Sequence, residues 1–263
     1  MKRFQFYNLS VFILFLAWLC GINQALGGSS GSPFTVGEKM TFQINWVSIP
    51  AGEITIETLP QEIIDGQDCC HIRLTVSSNN FVDMFYKVRD QIDSYMDLKM
   101  THSVLYTESR RGKRPKDVVI NFDWVKQQAQ YSRKGEREKS DPISIKPGTF
   151  DPLSAFLAFR LNDLNEKKEI IFPVTDGTKV AMGKVTIIRK ETIRVKGTSY
   201  DTFLLEPELG DTGGVFEKNK DSAAQIWVTA DDRRIPVRIK SQLPFGSFVA
   251  ELTSYTDNTK TEK

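Results

Sequence analysis

The sequence is poor in the residues that most enzymes use for chemistry at neutral pH. Its 263 residues contain 3 cysteines and 2 histidines. With so few cysteines, a small disulfide-stapled fold is excluded. The histidines, His71 and His102, stand far apart with no His-x-His, His-x₃-His or Cys-x-x-Cys pair, so a zinc site is not expected. A Ser-His-Asp triad lacks its Gly-x-Ser-x-Gly elbow. Net charge is also missing. The first 27 residues hold Lys2 and Arg3 and no acid, and the rest carries 33 basic against 33 acidic residues. A neutral chain has no global field for nucleic acid, and none is expected as a partner. After the N-terminus no apolar run approaches membrane-spanning length. The 40% hydrophobic and 26% charged content is that of a folded protein and excludes wholesale disorder.

What is present begins with an export signal. Lys2 and Arg3 precede the apolar run Leu9–Leu19, which falls short of the roughly 20 residues a spanning helix needs. Ala25-Leu26-Gly27 sets small residues at peptidase spacing, so cleavage is expected after Gly27; a retained anchor is the alternative. Leu19 before Cys20 occupies the place where lipidation needs a small residue, so a lipoprotein is not expected. The expected mature protein is periplasmic. Residues 28–33 read as a flexible leader, 34–255 as one β-rich domain and 256–263 as a polar tail. Of the two mature cysteines, Cys70 alternates with Ile72, Leu74 and Val76 and reads as core. Cys69 reads as half-exposed, and their redox state is open.

Period-two patterns place strands at 40–46, 53–57, 68–77, 84–97, 101–109, 117–124 and 128–133. More follow at 169–174, 179–190, 199–206, 223–230, 234–241 and 246–255. Ile49-Pro50-Ala51-Gly52 has the residues of a type I turn. Gly210, Gly213 and Gly214 lie outside any strand-to-helix context and read as a loop rather than a phosphate site. One helix interrupts the strands. Asp151 suits its cap, Pro152 its first position, and Leu153–Leu161 is apolar nearly all round. The expected fold is therefore mainly β: a large antiparallel sheet, strongly curved or barrel-like, wrapped around one buried apolar helix.

Four features compete as sites. Arg160 lies on the apolar helix, where a guanidinium needs either a structural carboxylate or an anionic ligand in a cavity. Phe81-Val82-Asp83-Met84-Phe85-Tyr86 is the most apolar stretch outside the helix; it lines a groove through Phe81, Phe85 and Tyr86, or packs in the core. The turn bearing Arg110, Arg111, Lys113, Arg114 and Lys116 offers cations to an envelope partner or lipopolysaccharide, or is a solvated tip. Asp231-Asp232 is the obvious carboxylate pair for glycoside chemistry, yet its setting between Ile226–Ala230 and Ile235–Val237 fits a hairpin turn. Pro236 predicts an edge or a bulge there.

Gly37-Glu38, Trp46, Ala51-Gly52, Phe81-Val82-Asp83 with Tyr86 and Lys87, Asp151-Pro152-Leu153-Ser154-Ala155 with Arg160, and Ile226-Trp227-Val228 with Asp231 and Pro236-Val237 occur in that order. Together, over nearly all of 34–255, they resemble the bacterial exported family known as domain of unknown function 3108. The resemblance implies a Gram-negative envelope setting and a form similar to periplasmic lipoprotein-carrier-like β proteins. It implies no reaction and supplies no catalytic residue. The expectation is a non-catalytic periplasmic protein without cofactor or metal that binds a lipid or other apolar ligand, or an envelope partner. Arg160, Phe81, Phe85 and Tyr86 are its candidate ligand residues. An envelope polysaccharide hydrolase and a structural interaction protein are the alternatives.

Overall fold

The computed structural model describes residues 34–112, 115–135, 140–208, 224–243 and 246–257. They form a mainly β structure in which fourteen strands join one antiparallel sheet. The first meander is β1 (Lys39–Trp46), β2 (Ile49–Ile64), β3 (Gln67–Ser78), β4 (Arg89–Asp97), β5 (Ser103–Arg110), β6 (Lys116–Asp123), β7 (Gln128–Arg133) and β8 (Ile143–Ser144). The second is β9 (Glu169–Thr175), β10 (Val180–Val195), β11 (Thr198–Glu208), β12 (Ala224–Thr229), β13 (Pro236–Leu243) and β14 (Gly246–Thr256). Pairing of β1 with β14 joins the two meanders, so the first and last strands lie mid-sheet and β8 and β9 are its edges. The sheet is thus open, and the expectation of a barrel-like form does not extend to closure.

Alternation in the sequence accounts for the buried face. Met40, Phe42 and Ile44 of β1, Ile72, Leu74 and Val76 of β3, and Ile92 and Met96 of β4 all lie in the core. Between the meanders runs α2 (Pro152–Ala158), preceded in the chain by the short α1 (Asn80–Asp83). Asp151 caps α2 as expected, accepting from the N–H groups of Leu153 at 2.8 Å and Ser154 at 3.0 Å, with Pro152 opening the helix. Phe159–Leu161 continues it as a 3₁₀ turn. Every residue of α2 is buried, and the helix packs against β4 and β9. Full burial of side chains such as Phe156 and Leu157 is worth about 1.5–3 kcal/mol each.

The polar start of α2 is also buried, and its hydrogen bonds go to the sheet. The second carboxylate oxygen of Asp151 accepts from the hydroxyls of Ser94 on β4 (2.7 Å), Ser103 on β5 (2.6 Å) and Ser154 (2.5 Å). Just upstream, the Phe150 N–H donates to the Pro173 carbonyl and the Thr175 N–H to the Phe150 carbonyl, covering part of the β9 edge. The turn after β9 lies against β6 and β7 of the opposite half. A Cβ on Gly177 would sit 3.0 Å from the Tyr131 Cβ and 3.1 Å from the Ile120 Cγ1.

Two local expectations are corrected. The first hairpin turns at Val47-Ser48, where φ is 54° and 108°, rather than at 49–52. A two-residue loop with positive φ matches the twist of its strands, and the Val47 N–H donates to the Ser247 carbonyl. Gly52 belongs to β2 because its backbone passes against β3; a Cβ there would stand 2.2 Å from the Ser77 carbonyl oxygen. The second correction concerns 84–97, whose strand starts only at Arg89. Asn79 accepts from the Val82 N–H at 2.9 Å and initiates α1 instead. At Pro236 the β12–β13 register shifts, giving the expected bulge.

Candidate functional site

Arg160 takes the structural alternative. Its side chain is 0% exposed and its guanidinium grips Glu38 with two bonds of 2.7 Å. Its Nε donates to the Arg233 carbonyl at 2.8 Å, and the guanidinium carbon lies 4.4 Å from the Phe34 ring centre. Glu38 also accepts from the Tyr255 hydroxyl at 3.1 Å. The group ties the entry to β1 and the end of β14 to the 3₁₀ turn and the β12–β13 turn. Arg160 as a ligand anchor is therefore corrected: a fixed charge in an apolar helix is matched by a carboxylate that sequence spacing could not pair with it.

The aromatic stretch lies elsewhere. Glu38 precedes β1 and Val47 follows it, which separates the two regions by roughly 25 Å of strand. The Asn79 side chain donates to the Pro50 carbonyl at 2.6 Å, fixing α1 beside the start of β2. No residue of α1 is buried; Phe81, Met84 and Phe85 are 48%, 70% and 64% exposed. Phe81 and Phe85 meet edge to face at 5.7 Å, and Tyr86 packs partly into the core. Core packing of Phe81 and Phe85 is thereby overturned. Asp83 is clamped by Arg89 at 2.6 Å and receives the Ser78 hydroxyl, and these contacts hold its carboxyl below the usual range. Val47 and Ile49 stand exposed at the same end of the sheet.

The β5–β6 turn comes to this same place. Gly112 permits the approach, since a Cβ there would lie 2.3 Å from the Lys87 carbonyl oxygen. The Arg111 N–H donates to the Arg89 carbonyl at 2.9 Å. Phe85, Lys87, Arg111, Gly112 and Pro115 consequently line one open pocket of about 510 Å³. Arg110 is a correction: its side chain turns inward to pair with Glu108, so it is not part of the exposed tip. Arg111 pairs with Asp117 at 2.7 Å while half-exposed, and Lys116 lies over the Tyr131 ring at 5.6 Å. Lys113 and Arg114 lie outside the described residues. Two stretches treated separately in the sequence are thus one site. Lys87, Gly112 and Pro115 join the candidates as lining residues, and Ile49 stands exposed at the same end; Gly112 between cations is the legible hint of the close approach.

The other candidates resolve into structural roles. Asp231 accepts from Thr229 at 2.6 Å and pairs with Arg233 at 2.6 Å in the β12–β13 turn. Partial burial raises its carboxyl, but these bonds prevail and hold it below its ordinary value, the opposite of a general acid's need. Asp232 is exposed in the same turn. His71 is buried with Nδ1 2.8 Å from Glu62 and Nε2 2.7 Å from Asp93, and its ring stacks on Tyr95 at 4.3 Å. Arg73 also donates to Asp93 at 2.7 Å. Burial pushes the Tyr95 hydroxyl up to about 12. Cys69 is buried rather than half-exposed, a further correction; both it and Cys70 are unpaired thiols. Burial, followed by the neighbouring Cys69, pushes Cys70 up to about 11, and burial also raises Cys69. Among the described residues, no three His, Cys, Asp or Glu side chains converge as a metal would require.

An open antiparallel sheet with a buried capped helix and an exposed aromatic–cationic end is the form of this protein. The chain belongs to the family described as protein of unknown function (DUF3108), whose pattern matches residues 41–253. Its fold is similar to that of a β-barrel-like protein of domain of unknown function DUF1849 from Brucella abortus. The two share 6% identity and a TM-score of 0.54, over 84% of this chain and 98% of that one. A putative exported protein with a YmcC-like fold from Bacteroides fragilis matches at 6% identity and a TM-score of 0.34, over 91% and 99%. No curated protein matches the chain in sequence.

Proposed function

We propose that this chain is an exported, non-catalytic binding protein of a bacterial envelope that takes an apolar ligand or an envelope partner at the α1 end of its sheet. The observation that carries the reading is the pocket in which exposed Phe85 meets Lys87 and Arg111. Apolar rings left in water beside cations are costly unless something covers them. The sheet serves as a rigid frame curled around α2. Supporting that curl, the turn at Gly177 rests on Ile120 and Tyr131, Phe150 bridges to Val174, and α2 touches strands of both halves. Export rests on Lys2, Arg3, the Leu9–Leu19 run and the Ala25–Gly27 cleavage pattern.

The test is photo-crosslinking in the exporting cell with a reactive side chain at position 85. The control position is 232, an exposed turn residue at the other end of the sheet. A discrete adduct from position 85 and none from 232 supports the site. No adduct at 85, or equal adducts at both, overturns it.

A further inference from the structure

We infer that the occupant of the α1 end is an anionic lipid surface, on which this end docks with its rings in the headgroup layer. The inference rests on the proposed binding role of that end and names its partner.

Shape is the first argument. Phe81 sits on a four-residue helix with no buried member, exposed Met84 and Phe85 follow it in the turn, and Ile49 stands on the adjoining strand start. These are tips at the end of a sheet. Side chains on such tips enter a deformable interface more readily than they fill a preformed protein groove. Tips carrying rings and flexible Met suit the boundary between headgroups and acyl chains.

Charge is the second. The described residues of 79–90 and 108–117 contain five cations and four carboxylates. The carboxylates are engaged or hidden: Asp83 with Arg89, Glu108 with Arg110, Asp117 with Arg111, and Asp90 buried. Lys87 and Lys116 form no ion pair with a carboxylate among the described residues. A positive rim around an apolar tip complements an anionic leaflet, whose potential attracts each nearby cation. Neutral lipid would answer the rings and leave the cations unexplained.

The experiment is amide hydrogen exchange on the full chain, with vesicles of mixed phosphatidylglycerol and phosphatidylcholine and with phosphatidylcholine alone. Because exchange is read segment by segment, any binding by the apolar N-terminal run is separated from binding at this end. Slowed exchange at 79–88 and 110–112 is expected with the anionic vesicles only. Lys87→Glu should weaken that protection at least about fivefold. Phe81→Ser with Phe85→Ser should abolish it, while exchange in β1 and β14 stays unchanged as the sign of an intact fold. Equal protection by pure phosphatidylcholine, or protection only elsewhere, overturns the proposal. Protection of these two segments by lipid-free envelope protein, with none from vesicles, overturns lipid docking and leaves the binding site standing. No protection from either source overturns both.

Discussion

Arg160→Leu removes one half of a buried ion pair. Glu38 is 2% exposed and would keep only the Tyr255 hydroxyl as a side-chain partner, while the Arg233 carbonyl would lose the Nε donor. Breaking a buried pair by deleting one partner costs about 3–5 kcal/mol, because the remaining charge is stranded away from water. At a urea slope near 2 kcal/mol/M, the unfolding midpoint should fall by about 2 M. Glu38→Leu should behave alike. The double variant Glu38→Leu/Arg160→Leu strands no charge and should recover most of the loss, to within about 1–2 kcal/mol of the parent. Urea unfolding of the four proteins, followed by tryptophan fluorescence and circular dichroism together, measures this cycle. If Arg160→Leu does not fold at all, recovery in the double variant still tests the pairing. A single variant unfolding within about 0.5 M of the parent would refute the argument and return Arg160 to the role of a ligand anchor.

Asp151→Ala should cost about 2–4 kcal/mol, combining a lost helix cap with three seryl hydroxyls deprived of their acceptor. A loss below about 1 kcal/mol in the same unfolding assay would show that the buried cap is not an anchor. His102 contributes a pH dependence. Burial lowers its imidazole below the ordinary 6.5, with Asp97 opposing only in part, so the unfolded chain binds the proton more readily than the folded one. Stability should therefore fall as pH drops below about 6.5, and His102→Phe should remove that component. A stability difference between parent and variant that stays constant from pH 7 to 5 would contradict it. Cys69 and Cys70 should resist alkylation until the fold opens. Peptide mapping after iodoacetamide treatment at pH 7.5 should find Cys69 and Cys70 unmodified in the native protein.

The parts of this protein legible in its sequence are those governed by neighbours along the chain. Alternation identified the inner face of β1 and β3 because strand side chains point to opposite faces in turn. The cap at Asp151 was readable because cap, Pro152 and the apolar run lie within one helical turn of each other. Local chemistry misled where tertiary contacts outvoted it. Pro50 and Gly52 have the composition of a turn, but Gly52 is needed where β2 crowds Ser77. Met84–Lys87 continues the alternation of the strand that follows, but Asn79 initiates a helix just before it, the strand starts only at Arg89, and the Phe81 and Phe85 rings are left exposed.

Alternation, one capped apolar run and short ordered motifs are enough to specify a mainly β chain with one interior helix and its family. Which partners those residues meet is set by packing across the sheet. Glu38 and Arg160 are separated by the whole of the first meander, and only packing of the helix end against the start of β1 joins them. The aromatic stretch and the basic turn are likewise separated by two strands, and the β4–β5 register brings them to one end of the sheet. A strand fixes which face a side chain takes, through its two-residue period. Which distant side chains share that face depends on pairing and register, which local sequence does not encode.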